Sequence, residues 1–462
     1  MPTKVIGAKQ LLLAAGLICC LVPQARAAWT EHVLYNFCAK QNCSDGKNPI
    51  AKLLMDSSGN LYGTTQGGGP GGGGTIFELV PNANHTKWTH QILHTFCRKA
   101  GCTDGTDPGS ALIIDQAGNL YGLTGLGGLS VNDGASDGVV YELSPPAAGT
   151  TKWTYKVLHV FCAQGATDCT DGNNSGSLTW GQTGLVYSGA STGAPYDGVS
   201  PLYGTTSLGG AGGGVVFQLT PGARKWTEKI LHNFCSEANG ATCPNDGSSP
   251  TGQLAIDGSD DLFGTTFSGG AGVRDPHGQG TIFELIPNKK KTQWGELLLY
   301  SFCATSSNCP DGANPTSELV QDNAGNIFGT TGWGGLIPCD GDPNGCGSVF
   351  KLAPGPVELT LYAFCPSTGC PDGFNPKQGL MIDTNGNLFG TTPQGGNASG
   401  AGSVYEITTS GYQLVHAGCS ETNCTDGSGP WGGVIMDKNG VLYGTEKGGG
   451  THNGGVVYSI TP

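Results

Sequence analysis

The chain has 462 residues, of which 81 are glycine and only 12% are charged, a balance that suits a rigid β protein better than a helical one. Its glycines follow no G-X-Y period and apolar strand-like runs recur throughout, which excludes collagen and disorder. The formal charge of −13 excludes nucleic acid and anionic membrane surfaces as natural partners.

Lys4 and Lys9 precede the apolar run LLLAAGLICCLV, and the small residues around Arg26 suit cleavage after Ala27. Residues 1–27 therefore read as a signal peptide, too short and wrongly flanked for a membrane span. Neither Cys19 nor Cys20 follows the small residue of a lipoprotein box. Removing the segment takes away Lys4, Lys9 and Arg26 and no acid, which moves the charge to −16. Residues 28–462 are expected to be secreted, periplasmic or displayed at the cell surface, with no membrane span.

The mature chain opens on WTEHVLYNFC, a strand alternating with period two. One complete unit follows further on. ALIID (Ala111 to Asp115) is a first strand ended by the turn QAGN, LYGLT a second, GVVYEL (138–143) a third and KWTYKVLHVFC (152–162) a fourth. The second strand recurs seven times, and its glycines, Gly63, Gly122, Gly204, Gly264, Gly329, Gly390 and Gly444, lie 59, 82, 60, 65, 61 and 54 residues apart. Units near that length with four strands each point to propeller blades; a parallel β-helix is the alternative. The third unit carries an insertion, GQTGLVYSGASTGAPYDGVS, expected between its first and second strands. The chain closes with VIMD, VLYGT and GVVYSI, three strands without a fourth, so the opening strand can complete the last blade. The expected fold is all-β: a seven-bladed β-propeller of four-stranded blades, closed by the N-terminal strand.

Two of the 18 cysteines lie in the signal segment. The remainder fall into close pairs: Cys38/Cys43, Cys97/Cys102, Cys162/Cys169, Cys235/Cys243, Cys303/Cys309, Cys339/Cys346, Cys365/Cys370 and Cys419/Cys424. In an exported chain these read as disulfides. Zinc is the rival, but the repeats lack a matching histidine pair. Such short loops gain little chain entropy from a bridge, so the bridges serve to shape loops.

The unit D..GNLYGTT..GG...G.VFEL.P resembles the GloVer-type extracellular tandem repeat family over essentially the whole mature chain. That resemblance implies export and a β-propeller-like repeat array, and brings no catalytic or binding residues with it. Kelch repeats are a more distant comparison.

In this arrangement the Gly-rich loops and the Cys-stapled loops share one face, the expected binding surface. Each stapled loop carries Asp-Gly (Asp45, Asp104, Asp171, Asp246, Asp311, Asp372, Asp426). One aspartate per blade suits a structural turn better than a site. Asp56, Asp115, Asp257, Asp322, Asp383 and Asp437 precede GN turns and read as Asx turns. Tyr35, His94, His159, His232, Tyr300, Tyr362 and His416 share one fourth-strand position, which suits a packing and hydrogen-bonding role.

Function is expected where the repeats disagree. In the fifth Gly-rich loop Asp340, Asp342 and Asn344 alternate before Gly345, as a calcium loop begins, although Lys351 stands where a full loop needs glutamate. Trp333 offers a sugar-stacking surface, and the fourth loop supplies Arg274, Asp275 and His277. Beyond calcium no cofactor is expected, and no nucleophile elbow, phosphate loop or HExxH motif occurs. The expected function is a monomeric, non-enzymatic propeller that binds an extracellular glycan or protein. The alternative is a propeller enzyme acting on polysaccharide, a glycosidase or lyase, with a carboxylate pair the sequence does not single out.

Overall fold

The computed structural model describes residues 29–128, 137–163, 169–173, 184–236, 243–275, 277–335, 339–340, 343–355 and 357–462. The expected signal segment, residues 1–27, lies outside these residues. Seven antiparallel sheets form the blades of a β-propeller, one per GTT-type motif. Strand one lies nearest the axis, where Lys52 of blade 1 pairs with Glu318 of blade 5.

Blade 7 takes its first three strands, Val434–Met436, Leu442–Glu446 and Val456–Thr461, from the C-terminus, and its fourth, Thr30–Asn36, from the N-terminus. The register runs from Thr30 opposite Thr461 to Asn36 opposite Val456, so the ring is closed by pairing across the termini.

The LYGTT motif divides its labour. Leu61 and Tyr62 are buried between blades. A Cβ on Gly63 would stand 2.6 Å from Phe77 Cζ of the neighbouring strand, and each equivalent glycine faces an aromatic ring in the same way. The glycine thus makes room for a ring, whereas its place in the motif suggests close approach of backbone. The first threonine reaches toward the next blade: Thr330 Oγ1 donates to the Gln378 carbonyl at 3.3 Å. The second fastens the Gly-rich loop, as Thr65 Oγ1 does on the Gly67 carbonyl at 3.0 Å and on Thr75 Oγ1 at 2.8 Å.

Each fourth strand contains a β-bulge at one position, for example between Val33 and Tyr35. The extra residue switches the face that later side chains occupy. Glu31, before the bulge, points back to blade 6, and Tyr35, after it, points forward to blade 1. One strand can therefore bind both neighbours.

The third-unit insertion needs a corrected boundary. Strand one of blade 3 is Val186–Tyr187, inside the stretch read as insertion, and the added segment is the part that follows it. That segment folds back on blade 2, where the Tyr196 amide donates to the Ile114 carbonyl at 3.0 Å and its ring is fully buried. Residues 174–183 lie outside the described residues.

Candidate ligand-binding site

All eight expected bridges are present. Cys38 is bonded to Cys43, Cys97 to Cys102, Cys162 to Cys169 and Cys235 to Cys243. Cys303 is bonded to Cys309, Cys339 to Cys346, Cys365 to Cys370 and Cys419 to Cys424. Seven of them each close the stapled loop of one blade, and the extra one, Cys339–Cys346, packs beside Cys365–Cys370. Their role is wider than loop spacing suggests. Sequence confines each bridge to shaping its own loop, whereas the second cysteine also fastens the Gly-rich loop of the same blade. The carbonyls of Cys43, Cys102, Cys243 and Cys424 accept from the amides of Gly69, Gly128, Gly270 and Gly450 at 2.9, 3.0, 2.8 and 2.8 Å. Cys43, Cys102 and Cys424 turn those carbonyls outward with positive φ angles of 49°, 45° and 53°. Side chains disfavour that backbone region, and the bridge holds it in place.

The stapled loops carry the repeated acids into the joints between blades. Asp45 accepts hydrogen bonds from Tyr35 Oη at 2.8 Å and from the Ala39 amide at 3.0 Å. Asp311 and Asp372 hold Tyr300 and Tyr362 at 2.9 and 2.8 Å, and His232 Nε2 lies 3.3 Å from Asp246. The following blade adds a third group to each joint. It is a ring stacked on the tyrosine or histidine, as His90 on Tyr35 at 4.2 Å, or a glutamate, as Glu228 at 3.6 Å from His159. The GN-turn aspartates hold their own turns: Asp56 Oδ1 accepts from the Ser58 and Asn60 amides at 2.8 and 2.9 Å. Outside the joint between blades 6 and 7, these bonds make both sets part of the scaffold.

Joint glutamates give a pH dependence. Burial pushes Glu358 from its ordinary 4.5 up to about 7, aided by Asp311 and opposed by its hydrogen bond from Thr360. A carboxyl whose folded pKa is raised stabilises the fold fully below its unfolded value and loses that contribution as pH rises through about 7. Glu358→Gln is expected to raise the melting temperature at pH 8, the advantage shrinking toward pH 4.5. Parallel melts of the variant and parent across that range provide the check; a pH-independent difference would contradict it.

The unlike residues of blades 4 and 5 converge. Phe267, Arg274, Asp275, His277, Asn314, Trp333 and Asn344 line an open cleft of about 420 Å³ on the loop face. Trp333 and Phe267 meet edge to face at 5.6 Å, and Trp333 is half-buried against the Cys303–Cys309 bridge. Neither ring has an aromatic counterpart after the motif in the other blades. Arg274 spans the cleft: its guanidinium donates to the Asn344 carbonyl at 3.1 Å, the Pro343 carbonyl at 2.6 Å and Asn344 Oδ1 at 2.9 Å. Asp275 Oδ1 caps the His277 amide at 2.8 Å, and Asn314 Nδ2 donates to the Phe267 carbonyl at 2.8 Å.

The calcium expectation fares differently. Asp342 lies outside the described residues. Asp340 accepts from the Gly369 amide of the next stapled loop at 3.2 Å, while Asn344 holds Arg274, so these two face different partners.

Three features escape a sequence reading by motif. Near the axis, Lys52, Ala111, Gln253, Glu318 and Gln378 enclose a small hollow of about 10 Å³, with Gln253 Nε2 donating to the Leu185 carbonyl at 2.6 Å. At the loop-face end of the innermost strands, Trp431 lies under two ammonium groups, Lys377 at 5.0 Å and Lys447 at 4.5 Å. The signal was GPWGG, an aromatic after the proline where other units place Ile50, Gly109, Thr251, Thr316 or Lys377. Third, Glu446 stands where the other motifs end in threonine. The turn face has larger hollows, of about 620 and 900 Å³. Their aspartates, among them Asp56, Asp115, Asp383 and Asp437, are already engaged within their own turns, which leaves less free chemistry there.

No helix among the described residues is long and apolar enough to cross a membrane. Comparison with curated proteins finds no match. Among solved structures the chain is similar to a luciferin-regenerating enzyme at 11% identity and a TM-score of 0.37, over 90% of this chain and 92% of that one. The model of the Gloeobacter/Verrucomicrobia repeat matches residues 16–200 and 337–462. With that match spanning repeats at both ends of the ring, the chain belongs to the Gloeobacter/Verrucomicrobia repeat family.

Proposed function

We propose that the chain is an exported, non-enzymatic propeller that binds an extracellular glycan in the cleft between the Gly-rich loops of blades 4 and 5. The observation that carries this reading is the meeting of Trp333 and Phe267 with Arg274, Asp275, His277 and Asn344 in one open cleft. An aromatic face beside a few hydrogen-bonding groups is the chemistry that recognises a sugar ring, apolar on one side and hydroxylated at its edge. The acidic chain favours a neutral glycan over a polyanion.

The reading is tested by titrating the mature protein against a panel of neutral oligosaccharides, with product analysis of each mixture. Retention without turnover is expected, with affinity lowered at least about tenfold by Trp333→Ala, as for a central aromatic anchor. Unchanged affinity in that variant would remove the cleft from the account. Release of shorter glycans would replace the binding reading with a glycosidase or lyase.

A further inference from the structure

The joint between blades 6 and 7 breaks the sevenfold pattern in its interior. In the other six joints the phenylalanine that follows strand four (Phe37, Phe96, Phe161, Phe234, Phe302, Phe364) meets the strand-three ring of the next blade at 5.0 to 5.4 Å. Here Gly418 stands in place of that ring. One further change accompanies it: Glu446 replaces the motif threonine, opposite Val456, a place held by valine in blades 2 and 3 as well. The Glu446 carboxylate occupies the space beside Gly418, and a Cβ on Gly418 would stand 3.3 Å from Oε1.

Glu446 is fully buried, and no hydrogen bond reaches either of its oxygens. Its charged neighbours are Glu31 and Asp426. The ligand atoms of Glu31, His416 and Asp426 all lie within 4.8 Å of one another. His416 Nε2 is 3.8 Å from Glu31 Oε2. Asp426 Oδ2 is held by the Ser420 amide and hydroxyl at 2.6 and 2.7 Å, which leaves Oδ1 buried and without a hydrogen bond. Three carboxyls enclosed together cost several kcal/mol per charge unless a cation or protons compensate them.

We propose that this joint is a divalent-metal site in which Glu31, His416 and Asp426 are ligands and Glu446 supplies further negative charge from the buried side. One imidazole nitrogen among carboxylate oxygens is a donor set for a borderline first-row ion of the zinc type rather than for calcium or magnesium. The related cluster His159, Asp171 and Glu228 is the internal control. There Phe161 and Thr206 keep the repeat pattern, and among the described residues no buried glutamate stands behind the ligands. The ion would join the N-terminal strand that carries Glu31 to strand four of blade 6, which carries His416, and so strengthen the ring at its point of closure.

The test uses the mature protein, treated with EDTA, dialysed and titrated with Zn²⁺ alone, followed by metal content and thermal melting. One equivalent and a raised melting temperature are expected. Glu31→Gln and Glu446→Thr should each weaken uptake at least about tenfold, as removal of a ligand or of a supporting group does. His416→Tyr, which installs the residue found at this position in other blades, should abolish uptake while the protein stays folded. Absence of uptake by the folded parent, undiminished uptake in His416→Tyr, or binding of Ca²⁺ in preference to Zn²⁺ overturns the site. A second equivalent lost with His159→Tyr would overturn the role given to Glu446.

Discussion

A mature chain lacking residues 29–37 is expected to yield no stable folded monomer. The deletion removes strand four of blade 7, and with it the whole ladder from Thr30–Thr461 to Asn36–Val456. It also removes Phe37, fully buried and edge-on to Phe77 at 5.1 Å, and Tyr35, which holds Asp45 at 2.8 Å and stacks on His90. Loss of one buried phenylalanine ring costs about 3–5 kcal/mol, against a total stability of about 5–15 kcal/mol for a typical protein. The ladder comes in addition, and the exposed edge of Val456–Thr461 becomes a template for another chain. Size-exclusion chromatography should find aggregate or exchanged oligomer. A permuted chain that carries residues 29–37 after Pro462 through a short Gly-Ser linker should recover a monomer melting close to the parent. A truncated monomer that melts like the parent would show that closure contributes little.

Blade number, strand order and closure were legible because each depends on residues close together in the chain. LYGTT, the GVVYEL-type strands and the unpaired opening strand are local patterns, and the seven sheets follow them. The cysteine pairs were legible for the same reason, but the grip of Cys43 on Gly69 crosses a whole strand pair and was not. The joints were legible by half. Tyr35 and Asp45 lie ten residues apart, so their shared role could be suspected. Glu31 and His416 meet only after the ring closes, and no spacing announces that contact. The bulge was equally hidden, since WTEHVLYNFC alternates evenly in sequence while its side chains change face between Val33 and Tyr35. In the cleft, the rule of looking where the repeats differ singled out Arg274 and Trp333, but not Phe267, against which Trp333 packs, nor the hold of Arg274 on Asn344, which was read as a calcium ligand. The same rule, applied to LYGTE and to Gly418, would have marked the blade 6–7 joint as well.

The motif glycine offers the sharpest test of how the fold is encoded. Gly63 does not adopt positive φ, so backbone freedom does not explain it. Space does: a Cβ there would lie 2.6 Å from Phe77 Cζ and 3.0 Å from Leu53 Cδ2, both fully enclosed or nearly so. Gly63→Ala is therefore expected to destabilise by about 1–3 kcal/mol through overpacking. Phe77→Ala, which empties the same place, should cost about 3–5 kcal/mol. The two changes are not independent, because the ring is the atom group the new methyl strikes. In Gly63→Ala/Phe77→Ala the methyl enters the vacated space, and the double variant should be more stable than the sum of the singles by about 0.5–3 kcal/mol. Chemical denaturation of the four proteins measures that coupling. Additive losses would mean that the glycine answers a backbone requirement, and would return the motif to the reading that its place between strand residues first suggests.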